Sequence, residues 1–473
     1  MMLVALLLIP TTAAGLIAVL RKRVLIELTH AVAALATLAI GLTVAVRVWS
    51  SRTEITALEH LLRADALSAL MISIITLLGA IAAIYGLGYT RVELDAEHPR
   101  QVRLFFSLSQ VFIFTMLLAV TTDNLGVMWV AIEGTTLATV FLVNLHNTRT
   151  ALEAAYKYLM LSSVGIALAF IGTVLMYYAG TARSGEIAVN WSSLQAAGST
   201  LDPQVVRLAF AFILVGYGTK AGLAPMHTWL PDAHSEAPGP ISALMSGVLL
   251  NVGLYALMRF KSIADISLGP RHSSRLLMGV GLLSIAVAAA FLLAQRNYKR
   301  MLAYSSVEHM GIICLGLGFG GYWGTFGALL HVINHALSKS LLFMLSANIL
   351  TMYRAIDIRR VRGLLRASPV TGGAFLAGTL ALLGLPPFGL FISEIVIFRA
   401  GLETNAWVAV IGIALLVVVF AGMLASVNQM LYGEPREKLD RGDVLKWSIA
   451  PLAVNFALLI VMGIKLPAAF SDA

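Results

Sequence analysis

Charge is scarce in this chain. Only 12% of its 473 residues are Asp, Glu, Lys or Arg, against about 25% in ordinary soluble domains. Cysteine is almost missing. Cys314 stands alone, which excludes an intrachain disulfide and any cysteine-built zinc or iron–sulfur site. No polar stretch is long enough to hold a soluble domain between the apolar runs. The short alternating segments of a membrane β-barrel are absent too. The net charge of +9 comes with no basic stripe interleaved with aromatics, so it is read as loop charge and not as a nucleic-acid surface. The glycine-rich LGLGFGG (315–321) follows no strand, which excludes a phosphate loop and leaves close packing or a turn.

What remains is hydrophobicity. Residues AVILMFWYC make up 59% of the chain, mean hydropathy is +0.87, and nearly uncharged runs recur from end to end. Each can cross about 30 Å of hydrocarbon as a helix. The pattern predicts an all-α polytopic membrane protein with about fourteen spans, near 2–20, 24–48, 65–88, 103–121, 124–145, 156–179, 205–225, 239–260, 276–295, 302–320, 324–352, 370–398, 406–431 and 446–465. The opening MMLVALLLIP lacks a basic start and a cleavage signature, so it is expected to be the first span. Arginine and lysine gather after odd-numbered spans, as at Arg21–Arg23, Arg296–Arg300, Arg354–Arg366 and Arg436, Lys438 and Arg441. Fewer follow the even-numbered spans, Arg259 to Arg275 and Lys465 among them. By the positive-inside rule both termini face outward.

Two spans carry internal prolines: GYGTKAGLAPMHTWLPDAH (216–234) and LALLGLPPFGLFISE (380–394). Proline frees a helix carbonyl, and lipid does not tolerate freed backbone groups, so the breaks should face protein or a hydrated cavity. Paired breaks mark inverted-repeat transporters. They lie in spans 7 and 12, five helices apart, and an odd number of helices inverts the copy. The expected organisation is a single membrane domain, 1–473: flanking helices in 1–101, a first repeat of spans 4–8 in 102–262, a second of spans 9–13 in 275–431, and a last helix at 446–465. Glu133 and Glu308 are 175 positions apart and Lys220 and Glu394 are 174 apart, as related positions in two repeats would be.

Inside the apolar runs sit Glu133, Lys157, Lys220, Glu308, His309, His331, His335, Lys339 and Glu394. An ionised group at the bilayer centre costs at least ~2.5–3.5 kcal/mol, so nine of them must pair with one another and with water. His331, His335 and Lys339, spaced i, i+4, i+8 in HVINHALSKSLLFM (331–344), share one helix face. A packed histidine bonded to a carbonyl and a snorkelling lysine are the plainer readings, but Lys339 is too deep in its span to snorkel easily. Three such groups on one face point to a hydrated proton relay, because both residue types exchange protons at physiological pH when buried. A metal at His331/His335 lacks the carboxylate of H-E-x-x-H, and haem ligation usually pairs helices, so neither is expected. His227, His234 and Asp232 flank the first break and are candidates for proton uptake. Asp65, Asp123 and Asp232 also suit helix capping. Glu153 is placed at the cytoplasmic interface.

These residues carry a resemblance. WVAIEGTTLATVFLV around Glu133, TKAGLAPMHTWLPDAHSEAPGPISALMSG around Lys220, HVINHALSKSLLF around Lys339 and GLPPFGLFISE around Glu394 resemble the antiporter-like subunits of respiratory complex I, Mrp-type antiporters and membrane-bound hydrogenases. AYSSVEHMG (303–311) and Asn251 in LMSGVLLNVGLY (244–255) look most like the hydrogenase-4 component F type. Many relatives have a lysine where Asn251 stands, which leaves that relay step to Lys339 or to water. The resemblance implies a proton-translocating, energy-coupling subunit of a redox complex, with a Glu133/Lys220 charge pair, a His331–His335–Lys339 centre, Glu394 at the exit side and Lys157 in support. It implies no cofactor and no redox active site in this chain. Nickel–iron and iron–sulfur centres belong to a peripheral, hydrogenase-like arm, with other membrane subunits of the same family as neighbours, in a prokaryotic inner membrane. Three other readings compete: a cation/proton antiporter subunit, the membrane partner of a CO2 or bicarbonate uptake system, and a non-transporting scaffold.

Overall fold

The computed structural model describes residues 1–94, 99–184, 189–434, 442 and 446–464. Arg436, Lys438, Arg441 and Lys465, with the far edge of the last expected span, lie outside the described residues. Helices α1 (Met2–Val19) and α2 (Arg23–Ser51) lead into a hairpin of β1 (Ile55–Ala57) and β2 (Leu62–Ala64), antiparallel with Ile55 opposite Ala64. Then come α3 (Ala66–Glu93), α4 (Pro99–Thr121), α5 (Leu125–Val143), α6 (Arg149–Ser184), the short α7 (Trp191–Ala196), α8 (Pro203–Lys220) and α9 (Trp229–Glu236). Helix α10 (Gly239–Leu244) runs through a π turn, Met245–Leu249, into α11 (Leu250–Leu268). The rest is α12 (Pro270–Leu292), α13 (Tyr298–Phe319), α14 (Gly321–Tyr353), α15 (Leu364–Ala367), α16 (Pro369–Leu382), α17 (Gly389–Thr404), α18 (Ala406–Leu431) and α19 (Ile449–Ile464).

Among the described residues eleven helical segments are long and apolar enough to cross a membrane. Of the other three predicted segments, 205–225 falls on α8 and the break after it, 370–398 on α16 with α17, and the last on α19. Local chemistry sets several starts. Asn124, Asp202 and Asn297 each accept from two amide N–H groups of the first turn that follows, and Asp65 accepts from that of Ser68. These side chains satisfy orphan donors. Asp123, expected as a cap, serves a helix distant in sequence: its Oδ1 accepts from the Ser192 N–H in the first turn of α7 at 3.3 Å. Its other carboxylate oxygen accepts from the Ser192 hydroxyl at 2.5 Å.

Burial is inverted relative to a soluble bundle. Helices α13 and α14 are enclosed by protein and hold the buried Lys299, Glu308, His309, His331, His335 and Lys339. The outer helices turn Val32, Phe141, Phe170 and Trp407 outward. Small residues set the closest crossings: a Cβ on Gly281 would meet the Gly311 carbonyl oxygen at 2.7 Å, and one on Gly311 would meet that of Gly281 at the same distance. Dispersion gained by such backbone approach is what holds helices together in lipid. The LGLGFGG stretch does both things expected of it. Gly316 packs on α14, and Gly320 and Gly321 make the turn with positive φ.

Both proline breaks are present, at 221–228 and 383–388, and their backbones match bond for bond. In the first, the N–H groups of residues 221, 222 and 223 donate to the carbonyls of 217, 219 and 218; in the second, those of 383, 384 and 385 donate to 379, 381 and 380. Gly222 and Gly384 take the positive φ that this turn requires. A second match lies at Asn124 and Asn297: Leu125 N bonds Val189 O as Tyr298 N bonds Ile356 O. These matches correct the expected register. Gly222 to Gly384 is a step of 162, which sets Asp232 opposite Glu394 and Leu382 opposite Lys220. Asn124 to Asn297 is a step of 173, which sets Ser306, not Glu308, opposite Glu133. The backbone matches thus pair other residues than the two near-equal offsets read from the sequence. Pro231 interrupts nothing, because it sits in the first turn of α9, where its missing N–H costs no bond. Protein covers both breaks. Ala224 N donates to the Ser284 hydroxyl at 3.0 Å, and Gly463 of α19 packs directly on the Pro387–Gly389 backbone.

Candidate proton-relay site

The first group of polar side chains lies between α5, α6 and α8. Lys220 is the last residue of α8 and is fully buried. Its Nζ donates to the Thr136 hydroxyl at 2.6 Å, and that hydroxyl donates to Glu133 Oε2 at 3.1 Å. Ser163 donates to the other carboxylate oxygen at 2.9 Å. The expected Glu133/Lys220 charge pair is therefore joined through one hydroxyl instead of by direct contact. Tyr158 closes the pocket: its hydroxyl lies 3.3 Å from Nζ and 2.8 Å from the Thr139 hydroxyl.

Lys157 is not buried as expected. Its side chain is 50% exposed and pairs with Glu153 at 2.6 Å and Asp232 at 3.4 Å. Asp232 also accepts from Arg300 at 3.0 Å. These four make a charged group beside α9, apart from the Lys220 pocket. Behind them Lys299, counted in sequence among loop charges, is buried and donates to the carbonyls of Ser235 and Ala237 at 2.7 and 2.8 Å. A cation at those C-terminal carbonyls complements the dipole of the half-helix.

The second group is held by α13, α14 and α17. Lys339 is fully buried near the middle of the 33-residue α14. Its Nζ donates to the Leu302 carbonyl at 2.8 Å and to the Ser305 hydroxyl. Glu308 follows one turn after Ser305 on the same face of α13. The imidazoles continue the series. His335 and His309 have ring centroids 5.5 Å apart. His309 Nδ1 and His331 Nε2 are 2.9 Å apart, and His331 Nδ1 is 2.9 Å from the Ser393 hydroxyl. Glu394 comes next on α17, half-buried, its carboxylate seated against Gly384 of the second break. The structure thus brings His309, His331, His335, Lys339 and Glu394 into one neighbourhood.

Asn251 lies below the π turn. Its Nδ2 donates to Gly247 O at 2.8 Å, while Oδ1 is buried without a partner. Ser246 of the same turn shares a hydrogen bond with Ser306 at 2.8 Å. His234 is fully buried, stacked on Phe343 at 4.6 Å, with neither ring nitrogen bonded. His227 is buried with Nδ1 unbonded. Both ring nitrogens of His335 and both amide atoms of Asn334 are likewise unbonded. Each such group costs about 1–3 kcal/mol if left dry.

Sequence reasoning missed the hydroxyls Thr136, Tyr158, Ser163, Ser305 and Ser393. A signal existed for two: Thr136 is one turn from Glu133, and Ser393 precedes Glu394. It also missed a cluster at the end of the molecule where α2 joins α3. Arg259 grips Asp65 through two bonds of 2.6 Å. Arg63 lies 3.6 Å from Asp123. The guanidiniums of Arg63 and Arg259 lie 4.6 and 4.4 Å from the centre of the Trp191 ring. Burial pushes the Asp65 carboxyl up, but the bonds and charge of Arg259, helped by the Ser68 N–H and Arg63, outweigh it and hold the pKa at about 2. Lys261 pairs with Asp265 at 2.5 Å, so two of the cations that opposed the loop-charge bias carry their own counter-ions.

Residues 122–421 match the family described as NADH:quinone oxidoreductase/Mrp antiporter, transmembrane. The chain belongs to that family. Among its relatives, the hydrogenase-4 component F homolog of Methylacidiphilum infernorum is 38% identical over 85% of each chain. The NADH-quinone oxidoreductase subunit N of Desulforudis audaxviator is 32% identical over 85% of this chain and 78% of its own. The fold is shared with a chain of the archaeal membrane-bound sulfane sulfur reductase, with a TM-score of 0.88 at 24% identity, covering 98% of this chain and 94% of that one. It is also shared with a chain of the Mrp complex from Dietzia sp., with a TM-score of 0.84 at 20% identity, covering 99% and 96%.

Proposed function

We propose that the chain is a proton-translocating, energy-coupling subunit of a multi-subunit redox complex of hydrogenase or complex I type. It sits in the cytoplasmic membrane of a prokaryote with both termini outward, and the two matched units are inverted repeats. The observation that carries this reading is Lys339, fully enclosed at mid-helix and continued by hydroxyl and imidazole groups toward Glu394. An amine held this deep on a carbonyl and a hydroxyl costs too much to be structural decoration.

The relay starts at Lys220. Nζ passes a proton to Thr136 Oγ1 as Thr136 passes its own to Glu133, which leaves a neutral amine and a neutral acid. The reverse transfer restores the charged pair. Either change alters the field along the axis, and Lys339 answers by releasing or taking a proton through Ser305. His335, His309 and His331 carry it on, because an imidazole accepts at one nitrogen and releases at the other. Glu394 is the exit-side group. Asn251, Glu308, and the buried His227 and His234 take supporting places, with hydration bridging them. Lys157 and Asp232 act at the surface of the first unit. The redox centres, nickel–iron and iron–sulfur, belong to partner chains that include other membrane subunits and a hydrogenase-like arm. Support comes from relatives named as a hydrogenase-4 component F homolog and a quinone oxidoreductase subunit.

The test is the purified complex in proteoliposomes with its natural electron donor. Lys220→Ala and Lys339→Ala should each stop proton movement while electron transfer persists. Equal pumping by both variants would overturn the relay. The family's own description also includes Mrp antiporters, which favours cation/proton exchange as the second reading. A pH gradient that collapses on adding sodium, with no donor present, would select it.

A further inference from the structure

The end of the axis carries a second chemistry. One nitrogen of His309, one of His331 and one carboxylate oxygen of Glu394 lie within 4.8 Å of one another. They come from three different helices, α13, α14 and α17, two of them from fully enclosed residues and one from a half-buried residue. We propose that these three groups form a divalent transition-metal site of the zinc class, and that its occupation removes them from proton traffic. The role in proton traffic rests on the function proposed above; the binding itself does not.

The donor set is two imidazoles and one carboxylate, the combination that holds zinc with a fourth position open. Ligand atoms around a tetrahedral zinc stand about 3.3 Å apart, as follows from Zn–N and Zn–O lengths near 2.0–2.1 Å. His309 Nδ1 and His331 Nε2 are already 2.9 Å apart, so a small opening of that contact and an inward turn of Glu394 complete the site. His331 is oriented for it: Nδ1 bonds the Ser393 hydroxyl at 2.9 Å, which turns Nε2 toward the centre, as an outer partner does for a metal-bound histidine. Gly384 leaves room for the carboxylate, since any side chain there would strike Glu394. The half-buried Glu394 supplies the open side. His335 is close to His309 but is not part of the set.

The experiment is cobalt(II) titration of the purified full-length chain in its complex, read by the visible d–d bands of four-coordinate cobalt, with zinc(II) as competitor. One equivalent should bind and zinc should displace it. His309→Asn and Glu394→Gln should each weaken binding roughly 100-fold or more, since losing even an outer partner costs up to about that much. Ser393→Ala should weaken it about tenfold, and His335→Asn should leave it unchanged. Absence of a stoichiometric cobalt spectrum in the unaltered protein overturns the proposal, as does binding that survives both His309→Asn and Glu394→Gln. The readout is metal binding, so a failed relay, seen as full pumping by Lys339→Ala, would leave this result standing on its own.

Discussion

Two buried ionic regions in this molecule are built in opposite ways. At the end where α2 joins α3, Arg259 and Asp65 meet in a two-bond fork, with Arg63, Asp123 and Trp191 packed around them. Along the axis, Lys220 reaches Glu133 only through Thr136, and Lys339 rests on a carbonyl and a hydroxyl. A direct fork fixes its charges, because separating them strands both in a poor solvent. A hydroxyl-bridged pair can become neutral by moving two protons a short way. The first arrangement suits a fastening, the second a path.

The largest effect expected from breaking this contrast is at the fork. Arg259→Ala should cost about 3–5 kcal/mol of stability by stranding the Asp65 carboxylate, seen as a lowered unfolding midpoint in detergent, while pairing Arg259→Met with Asp65→Leu should recover much of it. Next comes the path. Lys339→Ala should cut proton transfer roughly 100-fold, the scale of a lost acid–base group, with little change in the unfolding midpoint. Thr136→Val tests the bridge itself, and a loss of about tenfold in proton movement is expected from one hydrogen bond of about 1.4 kcal/mol, with Thr136→Ser restoring it.

Acid should sharpen the contrast. The Asp65 carboxyl is depressed to about 2 in the folded chain, below its unfolded value near 3.9. Its contribution, about 2 kcal/mol, is present above that unfolded value and fades as pH falls through 4 toward 2. Asp65→Asn should flatten that part of an acid-unfolding curve. The smallest effect belongs to Lys157→Ala. An exposed pair is worth about 0–1 kcal/mol, so the proton rate should stay within about twofold; a loss as large as that of Lys339→Ala would return Lys157 to the path.

The segments, both breaks, and the face shared by His331, His335 and Lys339 were legible because they depend on one-dimensional signals: run length, proline, and 3.6-residue spacing. Lys157 misled because its span is apolar in sequence, yet position on a helix does not say which side faces protein. Arg259 and Lys299 were assigned to loops for the opposite reason, since a charge near a helix end reads as solvated until its partner, Asp65 or the Ser235 carbonyl, is known. The repeat register failed because matching charges were taken as matching positions. The equivalent positions are backbone ones, Gly222 with Gly384 and Asn124 with Asn297, where the chain has the same bonds and different chemistry.

The sequence by itself determined that the chain is membrane-embedded, where it is helical and where helices break. Transfer free energy and backbone hydrogen bonding act locally, and each can be read within a window of about twenty residues. Tertiary structure alone decided the partners: that a threonine stands between Lys220 and Glu133, that His309 Nδ1 meets His331 Nε2 at 2.9 Å, and that Arg259 closes on Asp65 across 194 residues. A hydrogen bond is settled within a few tenths of an ångström, and only the packing of helices against one another sets distances that fine.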